Sequence, residues 1–230
     1  MADSRIAAMF SALMLGACGL SSPASADPGD FAYQPLWPFA AQADADRWLH
    51  EHSTTGSSPW HSDPEATALL FTQNYLGFHQ LDRATTVTTQ AHEAWVGVGS
   101  TLPNGTFSAA ATLHLARFGS APNAPWEVVG SDDGALTLSA PPYGSTVGPE
   151  IDAGGTIDGV DESLHVQVRQ IGQQNPLGDR CCLPAGGRSQ PWSATITTSP
   201  PQPGTLTLVV WTGGHRTDVE KFAITGLRAS

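Results

Sequence analysis

Lysine is almost missing from this chain. Lys221 stands alone beside nine arginines, against 21 acidic residues, and the formal net charge is −11. A protein that grips a phosphate backbone needs a basic footprint, so nucleic acid is not an expected partner. Charged residues of all kinds make up 13%, where an ordinary domain carries ~25%. Catalytic signatures are also missing: there is no G-x-S-x-G elbow, no S-x-x-K, no phosphate loop and no dinucleotide fingerprint. His50-Glu51-His52 is not a zinc-protease pattern, because residues two apart on a helix face different ways. Asp152, Asp158, Asp161 and Glu162 gather, but without the D-x-[DN]-x-[DN]-G loop that calcium sites of that kind use. No metal and no cofactor is expected, and no catalytic residue is assigned.

What is present is β-forming sequence. Hydrophobic residues are 40% of the 230, and 24 glycines with 18 prolines punctuate them. That is a core-forming chain with many turns, too hydrophobic for global disorder.

The N-terminus reads as an address. Arg5 precedes an apolar run from Ile6 to Leu20, interrupted at Ser11, Gly16 and Gly19. The run suits a signal-peptide core, whereas a bilayer span needs about 20 apolar residues. Two processing sites follow. Leu15-Gly16-Ala17-Cys18 resembles a bacterial lipobox, in which Cys18 is lipidated, and Ala24-Ser25-Ala26 suits ordinary signal peptidase. The first places the protein in the cell envelope, on the outer face of the cytoplasmic membrane through a lipid anchor. The second makes it secreted.

After this leader and linker (1–26), two domains are expected. The first, 27–139, is α+β, with helices on a curved antiparallel sheet. Ala45, Trp48, Leu49 and His52 share helical spacing within Ala40–His52. Asp63-Pro64-Glu65 is an N-cap, a first-turn proline and a first-turn acid, and Ala68, Phe71, Tyr75 and Phe78 then form a stripe ending near Gly77. Strands follow from Thr85, with a type I′ hairpin predicted at Asn104-Gly105. Pro141-Pro142-Tyr143-Gly144 marks the boundary. The second domain, 140–230, shows roughly seven short strands by alternation, among them Leu164/Val166/Val168 and Leu206/Leu208/Val210, as in an antiparallel sandwich.

Three resemblances attach to these patterns. Pro142-Tyr143-Gly144-Ser145-Thr146-Val147, Gly155-Thr156-Ile157-Asp158-Gly159, Leu164-His165-Val166-Gln167-Val168 and Gly204-Thr205-Leu206-Thr207-Leu208 resemble the immunoglobulin-like domain of bacterial spore-germination proteins. The order of elements before them, with Pro125-Trp126-Glu127-Val128-Val129-Gly130, resembles the cone of nuclear transport factor two and cystatin-like proteins, which implies a pocket. The whole chain resembles lipoproteins of high-GC Gram-positive bacteria. Together they imply a noncatalytic cell-envelope lipoprotein that binds a small apolar ligand or an envelope protein.

Chemistry is then sought in three places. A pocket in the cone would be lined by Trp60, Tyr75, Phe78, His79, Trp95 and His114. Within it, His114 or His79 beside a carboxylate such as Asp82 or Glu93 would supply the general base of an alternative, enzymatic reading. Cys181-Cys182 is the third. An exported pair should oxidise, yet adjacent Cα atoms lie ~3.8 Å apart, below the usual disulfide range. A functional disulfide, a staple between two strands, free or intermolecular thiols, and a Cu(I) site all remain open readings.

Overall fold

The computed structural model describes residues 31–214 and 217–230. The expected leader, with Cys18, lies outside these residues. No described helix is long and apolar enough to cross a membrane.

Two helices come first, α1 (Gln42–Thr55) and α2 (Pro64–Leu70). Asp63 caps α2 as its sequence position requires, its Oδ1 accepting from the Glu65 N–H at 3.0 Å. The helix then widens into a π turn over Phe71–Tyr75 and stops at Gly77, whose φ of 81° only glycine adopts freely.

Four strands form an antiparallel meander: β1 (Arg83–Gln90), β2 (Glu93–Thr101), β3 (Phe107–Arg117) and β4 (Trp126–Ser131). The β2–β3 turn is not the two-residue type I′ expected. Gly105 alone takes positive φ, Asn104 accepts from the Thr106 N–H through its side chain at 2.9 Å, and Leu102 donates to the Thr106 carbonyl at 2.8 Å. A three-residue loop with one left-handed glycine replaces it.

The second sheet runs β5-β9-β8-β6-β7, from β5 (Thr146–Val147), β6 (Glu150–Arg169), β7 (Gly178–Thr197), β8 (Thr205–Gly213) and β9 (Lys221–Ala229). Strands β6 and β7 are one long ribbon. Register shifts cluster between Ile157 and Glu162, and the ribbon bends there. Its outer half meets residues 136–140 through the Leu136–Ile157 and Ala140–Gly154 bridges, while its inner half pairs with β8. The sheet thereby curls almost closed, barrel-like. Leu136, Ile151, Ile157 and Trp192 come from one side of this curl and Leu164, Val166, Leu208 and Leu227 from the other, and together they fill one core.

A second core lies between the meander and the β8–β9 hairpin. Leu206, Leu208 and Val210 point into the curled sheet, whereas Val209, Phe222 and Ile224 join Ala68, Phe71, Val96, Leu113 and Val128 on the other side. The hairpin is a wall with a core on each face, which is why it is almost continuously apolar. Gly226 lets the N-terminal segment lie against it: a Cβ there would come within 2.7 Å of Gln34 Cβ. Ser131 and Ile224 bond across the two sheets, the Ile224 N–H donating to Ser131 Oγ at 2.9 Å.

This corrects the expected fold class. Strands hold 48% of the described chain against 16% in helices, and the N-terminal part is not a sheet clothed in helices. Helix α1 packs in a small side cluster, where Phe39, Ala45, Trp48 and Phe118 are buried together. Only α2 and its π turn reach the inner face of the meander, and the β8–β9 hairpin covers the rest. The expected layout fails because the seven-residue α2 is too short to bury a four-stranded face.

Candidate functional site

The outer face of the meander is built in cross-strand rows. One row runs Gln90–Glu93–Ala116–Glu127, the next Thr88–Trp95–His114–Gly130, and a third Thr85–Gly97–Thr112 with Asp132 beyond. A bulge in β1 between Thr85 and Val87 lets both Thr85 and Thr88 face this side despite their odd spacing. The inner face is made by Ala94, Val96, Val98, Leu113 and Leu115, all fully buried.

Trp95 and His114 stack in register, ring centroids 4.8 Å apart and planes within 3°. Tyr33 meets His114 edge-on at 5.2 Å, and its hydroxyl donates to the Glu93 carboxylate. That bond, with burial adding to it, pushes the Tyr33 phenol up to about 12. His114 Nε2 lies 3.6 Å from Glu93 Oε1, is buried, and has no hydrogen-bond partner; 3.6 Å is beyond hydrogen-bond reach.

Beside this aromatic plate lies an open groove of about 450 Å³, with Trp95, Thr85, Thr88, Gln90, Thr112 and Asp132 on its walls. Gly97 keeps its floor low, because a Cβ there would meet the Thr85 carbonyl at 2.8 Å. The groove offers one indole edge or face, three hydroxyls, an amide and a carboxylate. Among the described residues its walls carry no cationic side chain.

The six residues expected to share a pocket are distributed over the fold. Trp95 and His114 are together on the outer face. Phe78 is buried in the core between the sheets against Trp211 and Phe222. Tyr75 packs on the same core, bonds Thr207 Oγ1 at 3.2 Å, and is pushed up to about 12 by burial. Trp60 stacks on Trp37 at 5.1 Å at the helical corner. His79 is exposed in the turn after the π helix. Of the carboxylates weighed as partners, Glu93 meets His114, while Asp82 contacts Arg83 at 4.0 Å.

Sequence reasoning missed a buried carboxyl. Glu127 is fully buried. Its Oε2 accepts from the Phe39 N–H at 3.1 Å, and Oε1 has no hydrogen-bond partner. Burial holds this carboxyl well above the usual carboxylate range. His61 is close by in the fold's aromatic corner, stacked on Phe39 at 4.8 Å and Trp60 at 3.5 Å. Burial, helped by the charge of His52, pulls it down to about 4. The only sequence signal for Glu127 was a carboxylate between Trp126 and Val128; His61 sits in the polar segment Ser57-Ser58-Pro59-Trp60-His61-Ser62-Asp63 and gave none.

Cys181 and Cys182 form a disulfide with each other, Cα atoms 3.8 Å apart. Both are exposed on β7, the edge strand. Of the acidic set, Asp152 accepts from Thr195 Oγ1 at 2.7 Å and Asp158 from the Ser189 N–H at 2.6 Å; the side chains of Asp161 and Glu162 lie outside the described residues. Among the described residues no group of three or more His, Cys, Asp and Glu side chains gathers in a metal-binding arrangement.

These observations define a mostly β protein with two packed cores, an aromatic–polar groove on one sheet face and a disulfide between neighbours on an edge strand. Compared with known families and curated proteins, the chain matches no family model and no curated sequence.

Proposed function

We propose that this is a noncatalytic binding protein of the cell envelope, carried there by its leader and lipid anchor at Cys18, which takes a glycan segment on the outer face of the meander. One observation carries the reading: an indole backed by a coplanar imidazole beside a groove of hydroxyl, amide and carboxylate groups. A sugar ring presents an apolar face to stack and hydroxyls around its rim to bond, and this set answers both. A groove whose described walls carry Asp132 and no cation fits a neutral chain better than an anionic one. The interior supports no competing pocket reading, since Tyr75 and Phe78 are committed to packing.

Calorimetric titration of the mature protein with neutral and N-acetylated oligosaccharides tests this. Binding should occur with at least one of them and weaken about tenfold in Trp95→Ala, which corresponds to ~1.4 kcal/mol. Binding that Trp95→Ala leaves untouched, or no binding by any of these sugars, would sink it.

The contact between His114 and Glu93, with Tyr33 on the same carboxylate, supports a second reading as an enzyme with His114 as general base. In that case turnover of a bound sugar should vanish in His114→Ala while binding persists.

A further inference from the structure

We propose that Cys181–Cys182 is a thiol–disulfide exchange site, reduced and reoxidised in the folded protein without loss of the fold. A disulfide stabilises a fold mainly by closing a chain loop in the unfolded state. With a sequence separation of 1 this one closes none, and it ties β7 to no other strand. A role as a structural staple therefore has no physical basis.

Leu164 pairs with Leu183 and Val166 with Arg180, so His165 alone stands opposite both cysteines and the ring occupies a bulge. The bulge lies on the edge strand, where no further ladder depends on it. Both cysteines are exposed to an incoming thiolate. Cys182 is held at a φ of 64°, in the left-handed region that a side-chain-bearing residue adopts at a cost. Opening the ring frees that residue. Arg180 adjoins the pair and lines an open depression of about 580 Å³ with Leu183, Asp152 and Thr195.

The reductant is an external dithiol. Its thiolate attacks one cysteine sulfur, the S–S bond breaks, and the electron pair goes to the other sulfur, which takes a proton. The second external thiolate then attacks the mixed disulfide and releases the remaining cysteine as a thiol. The pair gains two electrons and two protons in all, and the external dithiol becomes a disulfide.

The test uses the mature chain purified without reductant, with dithiothreitol as the probe, iodoacetamide trapping and intact mass measurement. No alkylation is expected before reduction. Two alkylations are expected afterwards in native buffer, with far-UV circular dichroism and the unfolding midpoint unchanged, and oxidised glutathione should restore the blocked state. Alkylation without reductant, reduction only under conditions that unfold the chain, or a lowered midpoint on reduction would each overturn the proposal. Cys182→Gly keeps the left-handed backbone available, so it should fold and lose the titration. A Cys182→Gly protein that cannot fold would show that the sulfur bond is structural after all.

Discussion

The β8–β9 hairpin and the β6–β7 ribbon are both antiparallel pairs in one sheet, yet they are built for opposite purposes. Residues 206–210 of β8 are all buried, and β9 is buried from Phe222 to Leu227. Over the twenty residues of β7 only Gly178, Trp192 and Ile196 are buried. The hairpin sits between two cores and each of its faces is committed to packing. The edge ribbon covers one core with one face and leaves the other free, and there the chain can carry a cysteine ring, Pro184, Pro191 and a positive-φ Ser189. Proline is tolerated at an edge because it removes no ladder bond that a neighbour needs. Stability and chemistry are thus separated onto different strands of the same sheet.

The sharpest way to break this comparison is to truncate one side chain in each. Phe222 is 3% exposed in the core between the sheets, and Phe222→Ala should cost about 3–5 kcal/mol. Leu183 on β7 is only half-buried, and Leu183→Ala should cost about 1 kcal/mol, the common size for a partly exposed site. Urea unfolding of the two variants decides it. Equal losses would mean that the ribbon is as integral to the fold as the hairpin.

The contrast also explains what could be read from sequence. The meander strands, Asp63 as a cap and the helical stripe through Phe71 were legible because alternation, capping chemistry and 3.6-residue spacing are local. What covers the meander was not. Val209, Phe222 and Ile224 lie 78 to 93 residues beyond the end of β4, and the alternation expected in β8 sets Leu206, Leu208 and Val210 against Thr207, Val209 and Trp211. The apolar residues on both faces were the available cue. The candidate site was legible in part: Trp95, His114 and Glu93 were named, and the structure places them side by side. Tyr33 could not be placed because it reaches Glu93 from a segment with no regular pattern. Glu127 could not be singled out, since nothing local shows that the Phe39 N–H will arrive over it.

A second test sets the aromatic corner against the rest of the fold through pH. His61 falls from its ordinary 6.5 to about 4 in the folded protein, so the unfolded chain binds more protons in that window. Its contribution is complete above 6.5 and is lost as pH falls toward 4. Between pH 7 and pH 5 the loss should be about 2 kcal/mol, and His61→Phe, which keeps a ring against Phe39 and Trp60, should flatten that limb. Glu127 works in the opposite sense. Its folded value is raised, so its contribution is complete below the ordinary carboxylate value and is lost as pH rises. Glu127→Gln keeps an acceptor for the Phe39 N–H and should flatten this opposing slope. Urea midpoints of the three proteins from pH 4 to pH 8 separate the two groups. Parallel profiles for all three would place acid sensitivity elsewhere.

The smallest expected effect concerns the seam between the two sheets. Lys221, the chain's single lysine, donates from β9 to the Ala109 carbonyl on β3. The contact is solvent-exposed, so screening and side-chain entropy should hold its worth to about 1 kcal/mol or less. Lys221→Met removes the charge and keeps the stem that lies along the seam. If the two sheets are held by Phe222, Ile224 and Val209, as their burial requires, this variant should unfold within that margin of the parent in urea. A loss as large as that of Phe222→Ala would mean that a polar latch, not the shared apolar wall, joins the meander to the hairpin.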